Sequence, residues 1–144
     1  MTAKKPWTEL LSVGDASPIS KHIVSFEDIQ AFAKLTGDYE PIHVDRAYAR
    51  TLAYPDCLAH GVLVLGLMSD KMLGEEIVGP NVSYGYDRIR FVRPVVAGSV
   101  VTTQGRIVEI RPDRGQVVVE EACRGLDGEL LAIANHVFRF STGE

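Results

Sequence analysis

The spacing of apolar and polar positions changes rhythm along this chain, and each rhythm predicts a different kind of element. Between residues 25 and 73 apolar side chains recur at helical spacing, and from residue 81 onward they alternate as in strands. Before residue 25 the pattern is weak: Leu10, Leu11 and Val13 read as a first strand, broken by Gly14-Asp15. Ser25 then stands where a helix N-cap is expected, with Asp28 three residues on completing a capping-box arrangement. Ile29, Phe32 and Ala33 supply the apolar face of that helix, and Thr36-Gly37 closes it, because glycine readily takes the left-handed conformation of a helix end. Pro41 stops the helix from simply continuing and biases Glu40 toward an extended shape. That places Asp38 just past a helix end and His43 on the loop after it. Asp45 is positioned to cap a short helix through Ala47, Tyr48 and Leu52.

After the break at Tyr54-Pro55, Asp56 is suited to cap a helix starting near Cys57. From Leu58 to Leu73 polar side chains are few, and apolar ones cover most of the helix circumference. Such a helix, about 24 Å long, is expected to be buried on most sides. The strand region follows. Val82, Tyr84 and Tyr86 alternate, then the apolar phase moves to Ile89 and Phe91, which predicts a bulge or bend. Val100 to Ile110, Val117 to Arg124 and Leu130 to Phe140 are the next strands. Pro112-Asp113-Arg114-Gly115 and Gly125-Leu126-Asp127-Gly128 supply the turns between them. Consecutive strands with short turns predict an antiparallel meander curled around the apolar helix, an α+β arrangement in one domain over residues 1–144.

Composition narrows the partners. With 46% hydrophobic and 24% charged residues the chain is globular, and its length of 144 residues suffices for a core without disulfides or metals. A net charge of −4 and no long Lys/Arg run argue against nucleic acid or an anionic membrane as main partner. Cys57 and Cys123 stand far apart in no metal-type spacing. The N-terminal residues lack the apolar centre of a signal peptide, and the run Val62 to Met68 is too short to span a bilayer, so a cytoplasmic protein is the expectation.

The chemistry concentrates between residues 36 and 60. Asp38 and His43, framed by Gly37 and Pro41, could act together on one water, since imidazole titrates near neutrality and a carboxylate can share the task. Spacing alone favours the plainer account, a simple turn and a loop histidine. His60 reads as a structural histidine fixed by a hydrogen bond, with substrate contact the alternative. Gly61 and Gly66 lower helix propensity by roughly 1 kcal/mol each relative to alanine, which points either to close packing or to a ligand oxygen approaching first-turn amides. Arg88, Arg90 and Arg93 form a basic cluster that either solubilises an edge or meets phosphate; Tyr84 and Tyr86 read as sheet packing. Cys57, beside a helix start, has no evident base and is not expected to be a nucleophile.

These residues also resemble a known family. Gly37-Asp38-Tyr39-Glu40-Pro41-Ile42-His43-Val44-Asp45 is similar to the G-D-x-N-P-[IL]-H-x-D signature of MaoC-like (R)-specific enoyl-coenzyme A hydratases. Ala59-His60-Gly61-Val62-Leu63 resembles the A-H-G-M-L segment that opens their central helix, and Tyr84 to Phe91 resembles the strand that follows. The resemblance implies a hot-dog fold, an antiparallel sheet wrapped around a long central helix, commonly in homodimers with continuous sheets and sites near the subunit interface. It implies Asp38 and His43 as the catalytic pair, reversible addition of water to a trans-2-enoyl thioester, and an (R)-3-hydroxyacyl product. Gly61 and Val62 are the implied amide donors, with Pro41 and Gly66 as further substrate contacts. No metal or redox cofactor is implied; coenzyme A or a carrier-protein arm arrives with the substrate. Two departures stand out: Glu40 replaces the usual Asn, and Gly66 replaces a small polar residue found in some members. A hot-dog thioesterase and a non-catalytic acyl-thioester binding protein are the alternative readings.

Overall fold

The computed structural model describes residues 5–69, 73, 74 and 78–141. In chain order the elements are helix α1 (Trp7–Leu10), strand β1 (Ser20–Val24), and helices α2 (Phe26–Thr36), α3 (Pro41–Val44), α4 (Arg46–Thr51) and α5 (Gly61–Met68). Strands β2 (Asn81–Phe91), β3 (Ser99–Arg111), β4 (Gln116–Gly125) and β5 (Leu130–Phe140) follow. The strands form one antiparallel sheet in the order β1-β3-β4-β5-β2, the hot-dog architecture of sheet against helix.

Local signals were strongest where caps were predicted. The Ser25 hydroxyl accepts the Asp28 amide at 3.0 Å, and the Asp28 carboxylate accepts the Ser25 amide at 3.2 Å, so the capping box is complete. Gly37 ends α2 at φ +78°, and the Asp45 carboxylate caps α4 by accepting the Tyr48 amide at 3.0 Å. Gly115, at φ +62°, closes the one-turn 3₁₀ segment Pro112–Arg114 between β3 and β4.

Several expectations are corrected. Leu10 and Leu11 do not begin a strand. They end and follow α1, whose Trp7 ring stacks on Phe140 at 4.4 Å and ties this segment to the sheet by aromatic contact. The first strand is β1, which pairs with β3 from Ser20↔Thr103 to Val24↔Ser99. The four long strands are not a simple meander: β3, β4 and β5 are, but β2 pairs with β5 across the sheet. The connection from β2 to β3 forms a single antiparallel bridge between Leu58 and Val96. The expected bulge in β2 is present twice, between Ser83 and Gly85 and between Asp87 and Arg90, with Arg88 at φ +56°.

The central helix is shorter than predicted. Residues 57–59 run extended because their main-chain groups are already engaged. The Leu58 amide donates to Ile42, the Ala59 amide donates to Val95, and the Cys57 carbonyl accepts from Ala97. Asp56 therefore caps no helix; its carboxylate takes the Cys57 amide at 2.7 Å and the Arg46 guanidinium at 3.0 Å. α5 begins at Gly61, and positions 70–72 of the expected helix lie outside the described residues. As expected, most of α5 faces the core, with Leu63, Leu65 and Leu67 partly buried and packed against it. Val64 and Met68 pack into the sheet against Val101, Cys123, Ala132 and Ala134, while Val62 on another face is 63% exposed.

A second apolar cluster joins Leu73, Val78, Ile107, Val117, Val119 and Phe140. On β4 and β5, between the residues of the two clusters, comes a polar pair. Nδ1 of His136 lies 2.7 Å from the Glu121 carboxylate, and its Nε2 lies 2.7 Å from the Ser83 hydroxyl. Both side chains are buried, and burial pushes the Glu121 carboxyl above its ordinary value, with His136 opposing the shift. No described helix is long and apolar enough to cross a membrane.

Candidate active site

The site is built in the excursion between β1 and β2. The left-handed turn at Gly37 throws the chain out of α2, and Pro41 at the first position of α3 turns it back. His43 thus lies in a one-turn helix and not on a loop, because proline is well placed at a helix start although it breaks a helix interior. The Asp38 carboxylate accepts the Glu40 amide at 3.3 Å, and the Gln30 side chain donates to the His43 carbonyl at 3.0 Å. These bonds fix the acid and the imidazole on one short loop–helix unit.

The ring of His43 has a defined tautomer. Its Nδ1 is 2.7 Å from the Leu58 carbonyl, which only accepts, so Nδ1 carries the proton and Nε2 presents a lone pair. His60 lies under it, stacked at 3.9 Å between ring centroids and inclined by 22°. Nε2 of His60 donates to the Asp38 carbonyl at 3.0 Å and lies 4.0 Å from the Asp38 carboxylate. Ring nitrogens of His43 and His60 and a carboxylate oxygen of Asp38 fall within 4.8 Å of one another. That spacing would suit a cation, but the His60 nitrogen 4.0 Å from the Asp38 carboxylate, Nε2, donates its proton to the Asp38 carbonyl and has no lone pair to offer there. The group is better arranged to hold a water.

Beside His43 opens a cavity of about 280 Å³, mostly apolar, whose walls include Gly61, Phe91, Arg93, Leu131 and Ala132. α5 starts here without a side-chain cap, so the first-turn amides of Gly61 and Val62 have no partner within their helix. A Cβ on Gly61 would fall 2.6 Å from the Phe91 ring, so at this position the close-packing account of the glycine holds alongside the access account. At Gly66 no heavy atom of the described residues outside its own helix backbone lies within 4 Å of a Cβ, so packing among them does not explain that glycine.

The predicted residues are therefore only partly assembled. His43 and Gly61 line the cavity, and Asp38 reaches it only as the neighbour of His43; Val62 is not among its walls, and its side chain is exposed. Pro41 and Gly66 do not line the cavity: Pro41 acts as the start of α3, and Gly66 is exposed on α5. Glu40 touches Asp38 through its main chain, with its side chain outward. Of the three arginines only Arg93 reaches the cavity; Arg90 donates to the carbonyl of the preceding residue, Ile89. Tyr86 stacks on His136 at 4.0 Å as sheet packing, whereas Tyr84 is exposed beneath Arg139. Burial and Asp56 push the Cys57 thiol up, away from nucleophile chemistry. Sequence reasoning missed Phe91 and the Leu58 carbonyl. The first faces Gly61 only through the sheet pairing, and a main-chain acceptor leaves no residue signal.

An antiparallel sheet packed on α5, with acid and imidazole beside the uncapped start of that helix, defines a hot-dog protein with one polar corner in an apolar cavity. The chain matches the MaoC-like domain model over residues 15–127, and it belongs to that family. It is 33% identical over 128 residues to the 3-hydroxybutyryl-CoA dehydratase of Methylorubrum extorquens, covering 85% of this chain and 80% of that protein. It is 34% identical over 104 residues to the (R)-specific enoyl-CoA hydratase of Aeromonas caviae, covering 72% and 76%. Among solved structures, an (R)-hydratase from A. caviae shares the fold with a TM-score of 0.80 at 24% identity, over 91% of this chain and 98% of that one.

Proposed function

We propose that the protein is a hydro-lyase that adds water reversibly to a trans-2-enoyl thioester, giving an (R)-3-hydroxyacyl thioester. The observation that carries the reading is the placement of the Asp38 carboxylate and the His43 imidazole together beside an apolar cavity that also meets the uncapped start of α5. The thioester carbonyl accepts the Gly61 and Val62 amides, where the positive end of the helix favours the charge that develops on oxygen. Asp38 and His43 hold one water; its oxygen bonds to the β carbon, one of its protons passes to the pair, and a proton is delivered to the α carbon. The net change is addition of water, so no redox cofactor takes part. Coenzyme A or a carrier-protein arm supplies the thiol, and the working form is a cytoplasmic homodimer with continuous sheets.

The test is loss of the conjugated enoyl absorbance of crotonyl-coenzyme A, with free thiol followed in parallel, for wild type, Asp38→Asn and His43→Gln. Absorbance loss without thiol release, reduced at least a hundredfold in both variants, is the expected result. Thiol release would instead identify a thioesterase, and binding without turnover an acyl-thioester binding protein. The same assay with crotonyl carrier protein decides the carrier, and sedimentation decides the oligomer.

A further inference from the structure

We propose that His60 is a positioning residue that joins Asp38 and His43 into one rigid unit, a role that rests on the reading of that pair given above. His60 is 2% exposed and contacts Asp38 and His43 of the site and Phe32 of α2. Its Nε2–H donates to the main-chain carbonyl of Asp38 at 3.0 Å, its face stacks on His43 at 3.9 Å, and the Phe32 ring lies 4.8 Å away, tilted by 54°. It is also the residue from which α5 starts, so the same side chain relates the acid, the imidazole and the oxyanion amides.

Asp38 needs such a tie. Its side chain is 46% exposed, and it follows a glycine in the left-handed conformation. The bonds its carboxylate and amide make are both 3.3 Å long and both local, to Glu40 and Thr36. The bond to His60 spans 22 residues and anchors the turn to a buried group. A carbonyl only accepts, so the contact assigns the proton to Nε2 and leaves Nδ1 with its lone pair. Nδ1 is buried and has no partner among the described residues. An unpaired buried polar atom costs stability, and a phenylalanine at this position would avoid that cost while keeping both ring contacts. A residue that only filled the core would be better replaced by such a ring. Of the two polar atoms an imidazole adds over a phenyl ring, only the N–H to Asp38 has a partner among the described residues.

Two variants separate the contacts. His60→Phe keeps a ring against His43 and Phe32 but removes the donor; His60→Gln keeps an amide donor and removes the ring. With crotonyl-coenzyme A, kcat of His60→Phe is expected to fall about 10- to 100-fold, the size of loss that follows small misplacements of catalytic groups, with KM changed less than threefold. His60→Gln is expected to regain part of that loss. Imidazole ¹⁵N spectra supply a readout that needs no turnover: wild type should show His43 protonated at Nδ1 and His60 at Nε2, and the His43 signals should shift or broaden in His60→Phe. A folded His60→Phe with kcat within twofold of wild type and unchanged His43 signals would overturn the proposal. If wild type shows no turnover at all, the hydratase reading fails and the spectra alone decide the positioning. If His60→Phe does not fold, the wild-type tautomers and the glutamine variant decide it: a His60 proton on Nδ1 overturns the proposal.

Discussion

Replacing Gly61 by alanine leaves the amide of the first turn in place and adds a single methyl group. That methyl would lie 2.6, 2.8 and 2.9 Å from three atoms of the Phe91 ring. Carbon atoms prefer about 3.5–4.0 Å, so the ring must retreat by roughly 1 Å. Overpacking of this kind costs about 1–3 kcal/mol in a closed core. Phe91 is 49% exposed, however, and can turn toward solvent, which puts the cost at the low end. Helix propensity offsets up to about 1 kcal/mol of it, because alanine replaces glycine. The net change in stability is then small, a shift in Tm of no more than about 4 °C. The effect on catalysis is expected to be much larger, because Phe91 is a wall of the cavity beside His43. Moving that wall by about 1 Å should lower kcat/KM toward crotonyl-coenzyme A about 10- to 100-fold. Gly61→Ala combined with Phe91→Leu makes room for the methyl and should recover most of the activity. Thermal melts and steady-state kinetics on the three proteins check the argument. A Gly61→Ala enzyme with kcat/KM within twofold of wild type would show that the substrate does not use this cavity.

Three further outcomes follow from features outside the cavity. Ser25→Ala removes the hydroxyl half of the capping box and should lower stability by about 1 kcal/mol in urea unfolding, with KM unchanged. Gly37→Ala must hold a side chain at φ +78°, costing about 1–2 kcal/mol, and should lower kcat as well because Asp38 is the next residue. For Glu121, burial raises the folded-state pKa above its ordinary value near 4.5. A carboxyl so shifted contributes stability below that value and loses it as pH rises through the raised one. Glu121→Gln should therefore gain on wild type in Tm between pH 4 and pH 8; a difference that stays flat would contradict the assignment.

What was legible in the sequence was local chemistry. Ser25 and Asp28, Gly37, Asp45 and Gly115 each state their conformation through a cap or a left-handed turn that needs only near neighbours. The long strands were legible too, because each is a long run rich in apolar residues bounded by turn residues, with alternation clear in the middle of β3. β1 was not: it is a five-residue edge strand whose Ser20, Lys21 and His22 give no apolar alternation. The length of α5 was overestimated because Cys57, Leu58 and Ala59 are as apolar as a helix face, yet bind their amides and carbonyls to residues 42, 95 and 97. Pairing of β2 with β5 depends on long-range contacts that no local pattern encodes. In the site, Asp38 and His43 were visible as residue types in a turn, and the family signature gave them roles. Their relation to Phe91 and to the Leu58 carbonyl existed only once the chain was folded.

The sheet order has a consequence for how the protein is made. β2 pairs with β5 and with no other described strand, and β3 and β4 come off the ribosome between them. At about 5–20 residues per second, β2 waits roughly 2–10 s for its partner. During that interval Val82, Tyr84 and Phe91 sit on a strand with both edges open, in a nascent chain whose α2–α5 segment is already complete. The wall of the cavity is thus the last part to be placed, and a chain stalled between β3 and β5 would carry its acid and imidazole without the surface that closes around the substrate.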